Sequence, residues 1–180
     1  ARAACRVRDR ERHGGRRLIQ GNLLEVKDLA VEFATPAGPL HALKGISFRV
    51  RPRSSVALVG ESGSGKSVCA QAIMGLLPRI ARITSGQILF HDRQKPHAPI
   101  VDLAALDTRS QAFRAIRGGR ISMIFQEPMT SLSPLHTIGN QVTEALRLHE
   151  SLTSAEAESR CLDVLKLVRF PDPRRTFRSY

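Results

Sequence analysis

Hydrophobic and polar positions alternate from Leu23 to Phe33 (LLEVKDLAVEF), the period-two pattern of a strand with one face buried. The cluster Thr35-Pro36-Ala37-Gly38-Pro39 breaks that run, and residues 40–50 (LHALKGISFRV) predict the return strand of a hairpin. Arg51-Pro52-Arg53 reads as a turn, and Ser55–Val59 (SVALV) as a short buried strand. From Val68 to Leu77 the pattern becomes that of an apolar helix, which Pro78 is expected to end. TSGQILFH at 84–91 predicts a strand, and 107–117 a short amphipathic helix. Thr153-Ser154-Ala155-Glu156 forms a capping box that opens a helix to about Val168, whose Leu162, Leu165 and Val168 recur at helical spacing and are expected in a core. Strands mixed with helices in this way predict an α/β fold.

No apolar run approaches the ~18 to 20 residues that span a bilayer. At 180 residues and 42% hydrophobic, the chain has the size and composition of a single globular domain. Residues 1–21 show no hydrophobic periodicity and carry seven arginines, so they are expected to be a basic, disordered leader, with residues 22–180 forming the organised domain. The net charge of +12 favours phosphate-rich partners or an anionic membrane face, without bearing on fold. Cys5, Cys69 and Cys161 have no disulfide or metal-ligand spacing, which fits a reducing compartment.

Gly60-Glu61-Ser62-Gly63-Ser64-Gly65-Lys66-Ser67 fits G-x-x-x-x-G-K-[ST], and it stands between a predicted strand and a predicted helix, as a phosphate-binding loop must. Glycines let successive backbone N–H groups curl around a phosphate, and the positive end of the helix dipole adds to the attraction. Residues Gly60 to Val68 are thus the expected nucleotide contacts. Lys66 is expected to reach the β and γ phosphates, and Ser67 to offer its hydroxyl to Mg²⁺. His91, Asp92, His97 and Asp102 fit no metal-ligand spacing.

The combination of GESGSGKS at 60–67, MIFQEPMTSLSPLHTIGNQ at 123–141 and LAVEFATPAGPLHALKGISF at 29–48 resembles the ATP-binding subunits of ABC transporters, on the peptide-importer branch. The resemblance runs from about Leu23 to Tyr180. It implies a P-loop NTPase with a RecA-like core, a small antiparallel β subdomain at about 84–120, and a chain that stops within the helical subdomain. It also implies that Phe33 stacks on adenine and that Gln126 serves as the catalytic and Mg²⁺-side glutamine; either amide atom suits that work. In that family the catalytic base does not follow this glutamine, so Glu127 is not assigned the role.

The implied ligands are ATP and Mg²⁺. The implied partners are a second ATPase subunit, transmembrane permease subunits and, indirectly, an extracytoplasmic solute-binding protein, at the cytoplasmic face of the inner membrane. The family's LSGGQ signature, Walker B Asp-Glu and switch histidine do not occur in these 180 residues, so no hydrolysis is expected of them alone. Two other readings remain from the residues: a P-loop ATPase acting on nucleic acid, favoured by the basic charge, and a non-enzymatic remnant.

Overall fold

A computed structural model describes residues 6–10 (backbone only), 21–95, 97–126 and 131–180. Cys5 and Glu127 lie outside the described residues. The chain divides into two compact units, 1–122 and 123–180.

In the first unit, β2 (Leu24–Thr35) and β3 (Gly38–Val50) form an antiparallel hairpin closed by Pro36 and Ala37. Pro36 presets its own φ, Gly38 takes a φ of 109° and the Thr35 hydroxyl donates to the Gly38 carbonyl at 2.6 Å, so local chemistry alone reverses the chain here. On its other edge β2 pairs antiparallel with β5 (Ala81–Phe90), which in turn pairs with the two-residue β6 (Val101–Asp102), giving the order β3-β2-β5-β6. The Asp102 carboxylate accepts from the amides of Ile88 and Ala104, fastening β6 to β5.

Leu29, Val31 and Ile88 are fully buried on one face of this sheet. Cys69 and Ala72 of α1 (Lys66–Ile73) and Phe113 of α2 (Gln111–Ile116) belong to the same core. At roughly 1.5–3 kcal/mol for each large apolar side chain removed from water, this cluster is what holds α1 against the sheet.

Several expectations change in three dimensions. The antiparallel sheet is not confined to 84–120: β2 and β3 supply most of it, because β5 has β2 as its neighbour. The helix after the glycine loop ends at Ile73, before Pro78. Gly75 at φ 63° sends its amide to Ala72, and the Leu76 amide reaches back to the Gln71 carbonyl at 2.8 Å, a Schellman closure that only a left-handed residue permits. The amphipathic helix begins at Gln111, where Ser110 caps it through the Phe113 amide. β4 (Ser55–Val59) is not buried but alternates exposed and half-buried, Leu58 being the residue that turns to the core. Finally, Arg6–Arg10, expected to be disordered, forms β1 and pairs antiparallel with β4, whose backbone edge supplies the hydrogen-bond partners that a short polar segment cannot find within itself.

The second unit packs α3 (Ile138–His149), α4 (Ser154–Leu167) and α5 (Pro173–Arg178) against one another. Gly139 is buried because the ring of Phe177 takes the place a side chain would occupy; a Cβ there would sit 2.6 Å from it. Ala157, Cys161 and Leu165, four apart on α4, make its buried stripe. Leu165 is buried as expected, but Leu162 is only half-buried and Val168 is 58% exposed, because the buried stripe runs at intervals of four through Ala157, Cys161 and Leu165 and does not continue to Val168. Burial, and secondarily the Glu158 carboxylate, push the Cys161 thiol up, so it stays a protonated packing residue. No helix of the described residues is long and apolar enough to cross a membrane.

The capping box is present in full. The Thr153 hydroxyl accepts from the Glu156 amide, and the Glu156 carboxylate accepts from the Thr153 amide at 2.8 Å and its hydroxyl at 2.6 Å. These bonds, the hydroxyl first and the amide second, hold the Glu156 carboxyl below the usual glutamate range. A depressed carboxyl stabilises the fold above its unfolded value, and that contribution is lost as pH falls through the folded value. The protection factor of the Thr153 amide, corrected for the intrinsic exchange rate, is therefore expected to fall as pH drops below the usual glutamate range, and Glu156→Gln to remove that pH dependence; a wild-type protection profile as flat as the variant's would contradict the assignment.

Candidate functional site

The glycine loop links β4 to α1 and is built by backbone geometry more than by side chains. Gly63 and Gly65 both take positive φ, 78° and 91°. Gly65 is the N-cap of α1 in the left-handed region, and a Cβ there would lie 2.6 Å from Leu43 Cδ2 and 2.8 Å from the Ala42 carbonyl oxygen. Only glycine fits, for conformation and for space. With no side-chain cap at Gly65, and with the first intrahelical bond running from the Cys69 amide to the Gly65 carbonyl, the amides of Lys66, Ser67 and Val68 face outward without a preceding turn to accept them. No acidic side chain stands in the first turn to oppose an incoming anion.

Lys66 Nζ donates to the carbonyls of Gly60 at 2.8 Å and Glu61 at 2.7 Å and approaches Ser64 Oγ at 3.2 Å. The ammonium thus spans the loop from its first residue to its fifth and holds the ring of amides open. Ser64 is buried and its amide bonds to the Glu61 carbonyl, bracing the turn, whereas Glu61 and Ser62 are exposed at its rim. Ser67 is exposed on the second helical position, and Val68 turns inward to pack on the core. A string of outward amides, one ammonium and one exposed hydroxyl form a donor set for phosphate oxygens, with an oxygen ligand suited to a hard cation; these residues therefore fit a Mg²⁺-nucleotide.

Phe33 lies on β2, opposite Leu40 of β3 and Ala81 of β5, and is half-buried against the core. The same β3 strand places Ala42 and Leu43 behind Gly65, so one hairpin serves both the aromatic residue and the loop. Gln126 belongs to the second unit and is exposed. The residues the sequence did not single out are Ala42 and Leu43, which back the glycine loop. Nothing in their residue types signals this, because the role arises from proximity.

Strand, glycine-rich loop and helix in this arrangement define a P-loop nucleotide-binding protein. A family profile described as "ABC transporter" matches residues 43–179. Among curated proteins, the chain is 41% identical over 159 residues to a probable peptide ABC transporter ATP-binding protein, y4tR, of Sinorhizobium fredii, covering 88% of this chain and 44% of that protein. It is 46% identical to the peptidoglycan transport ATP-binding protein YejF of Agrobacterium fabrum, over 88% of this chain and 27% of that one, and 43% identical to the dipeptide transport ATP-binding protein DppD of Bacillus subtilis, over 88% and 44%. The chain belongs to the ABC transporter family. It spans less than half the length of these relatives. The fold is that of an ABC ATPase cassette: the dimeric structure of MJ0796, a bacterial ABC transporter cassette, superposes with a TM-score of 0.64 at 20% identity, over 87% of this chain and 60% of that one.

Proposed function

We propose that this chain is the nucleotide-binding portion of the ATPase subunit of a peptide importer. The observation that carries the proposal is the Gly60–Val68 cradle, in which Lys66 and the outward amides of α1 converge. The peptide class is supported by the names of relatives at 41% and 43% identity, a peptide and a dipeptide transport ATP-binding protein.

In this reading the amides of residues 63–68 and the Lys66 ammonium take the charge of the β and γ phosphates, and the Ser67 hydroxyl holds the cation that accompanies them. Mg²⁺ supplies charge neutralisation between the phosphates. Phe33 offers a π face to adenine, and Gln126 orients the attacking water through its amide. The partners are a second ATPase copy and permease subunits at the cytoplasmic face of the membrane, where one chain binds nucleotide and the assembly moves the solute. Glu61 is the sole carboxylate in the 60–68 cradle and stands exposed at its rim, so a general base for water must come from elsewhere.

The test is calorimetry with MgATP on the folded 180-residue chain, together with a phosphate-release assay. Saturable binding without turnover above background is expected. A folded chain that does not bind would overturn the nucleotide reading, and sustained Mg-dependent turnover would overturn the need for a base from outside.

A further inference from the structure

At the open end of the β2–β3 hairpin lies a cleft of about 430 Å³ whose polar lining is Glu25, Lys27, Ser47, Arg49 and Arg51. Three cations share it with one carboxylate, an excess of two positive charges. Lys27 Nζ and Arg49 Nε each stand 3.7 Å from the Glu25 carboxylate, within ion-pair range but beyond the roughly 2.7–2.9 Å of a hydrogen bond between charged groups. Glu25 therefore offsets charge without taking up the donors of either cation. Val26 and Phe48, paired across the strands one position further on, turn to the core, so the cleft faces away from α1 and the glycine loop. It is also distant from that loop: Ala42, whose carbonyl stands behind Gly65, precedes Arg49 on β3 by roughly 20 Å at ~3.3 Å per residue.

A β-bulge shapes the cleft. Between the pairs Val26–Phe48 and Leu29–Ile46, β2 has Lys27 and Asp28 where β3 has only Ser47. Asp28 takes the extra place at φ 44°, a left-handed conformation that strains a non-glycine residue. Both neighbouring strands hold it there. The Ser47 hydroxyl accepts from the Asp28 amide at 2.8 Å and donates to its carboxylate at 3.0 Å, and Gly86 of β5 lies so close to the Lys27 and Asp28 carbonyls that no Cβ fits. Bulges bend a strand and re-aim its side chains, and this one falls at Lys27, two positions from the carboxylate that Lys27 shares with Arg49. We propose that the cleft binds a phosphate monoester through Lys27, Arg49 and Arg51. A phosphate dianion matches the excess charge, with a guanidinium fork for two of its oxygens and the compact Lys27 ammonium for a third. Glu25 is the internal anion that the phosphate displaces. The site is separate from the nucleotide cradle and does not depend on the function proposed above.

Residue-resolved NMR on the folded chain distinguishes this cleft from the glycine loop, which also attracts phosphate. Inorganic phosphate is expected to shift the Lys27 and Arg49 amides saturably with a low-millimolar midpoint, the scale of a few charge-assisted bonds at an exposed site, whereas sodium chloride at equal ionic strength is not. Lys27→Gln combined with Arg49→Gln is expected to raise that midpoint at least fivefold, and unchanged ligand-free shifts of the α1 amides show that this variant is folded. Glu25→Gln acts in the opposite direction. By releasing both cations it is expected to tighten phosphate binding at least threefold, a gain that loss of a purely structural ion pair does not produce. Equal shifts with chloride, or a midpoint that neither variant moves, overturn the site. Sedimentation with phosphatidylcholine vesicles containing phosphatidic acid then identifies the source of the phosphate group. Sedimentation that the double variant loses assigns a lipid headgroup, and saturable phosphate binding without sedimentation assigns a soluble ester.

Discussion

Lys66→Ala is expected to weaken MgATP binding about ten- to hundredfold, the scale of losing one or two charge-assisted hydrogen bonds to phosphate. The ammonium also bridges Gly60, Glu61 and Ser64. Its removal therefore loosens the loop as well as deleting a charge. Lys66→Arg separates the two effects: it keeps the charge, but a planar guanidinium cannot converge on two carbonyls and a hydroxyl as a compact ammonium does. If the positive charge alone mattered, arginine would restore affinity in calorimetry; the geometry predicts that it does not. Equal affinity of wild type and Lys66→Ala would remove the cradle from the account altogether.

Gly86→Ala is expected to lose about 3 kcal/mol or more of stability, roughly 10 °C in Tm for a unit of this size. Gly86 has φ 95°, and a Cβ there would meet the carbonyl oxygens of Lys27 and Asp28, each at 2.5 Å. Both atoms are backbone, so no rotamer change relieves the contact. Asp28 is itself at φ 44° in the irregular stretch of β2, held by Ser47, whose hydroxyl donates to the Asp28 carboxylate and accepts from its amide. Gly38→Ala is the control. Its φ is 109° but nothing lies within 4 Å of the added carbon, so only the conformational strain remains and the loss should be clearly smaller. Comparable losses from the two substitutions, measured by thermal unfolding, would show that strain alone governs both.

The phosphate-binding loop and the α4 capping box were legible because each is written in consecutive residues and made by main-chain geometry that those residues set locally. Eight residues from Gly60 to Ser67 contain both positive-φ glycines and the lysine that bonds back to them. Thr153 and Glu156 likewise complete each other's bonds three residues apart. Hairpin β2–β3 was equally local, since its turn residues preset the reversal.

The misreadings share the opposite cause. Pro78 looked like the helix stop, yet the left-handed Gly75 closes the helix earlier, at a place where the ring of Phe113, from α2, leaves no room for a side chain. Val168 fits an apolar spacing, but which side of α4 is buried depends on where α3 and α5 lie. β1 formed because the edge of β4 was there to receive it.

Local composition thus settles where the chain turns, caps and binds phosphate, since those acts use hydrogen-bonding groups a few residues apart. Which strand borders β2 and which atoms forbid a side chain at Gly65, Gly86 and Gly139 are set by packing. Each of these depends on main chain or rings brought close by the fold, and close packing leaves no slack for the difference of one carbon atom.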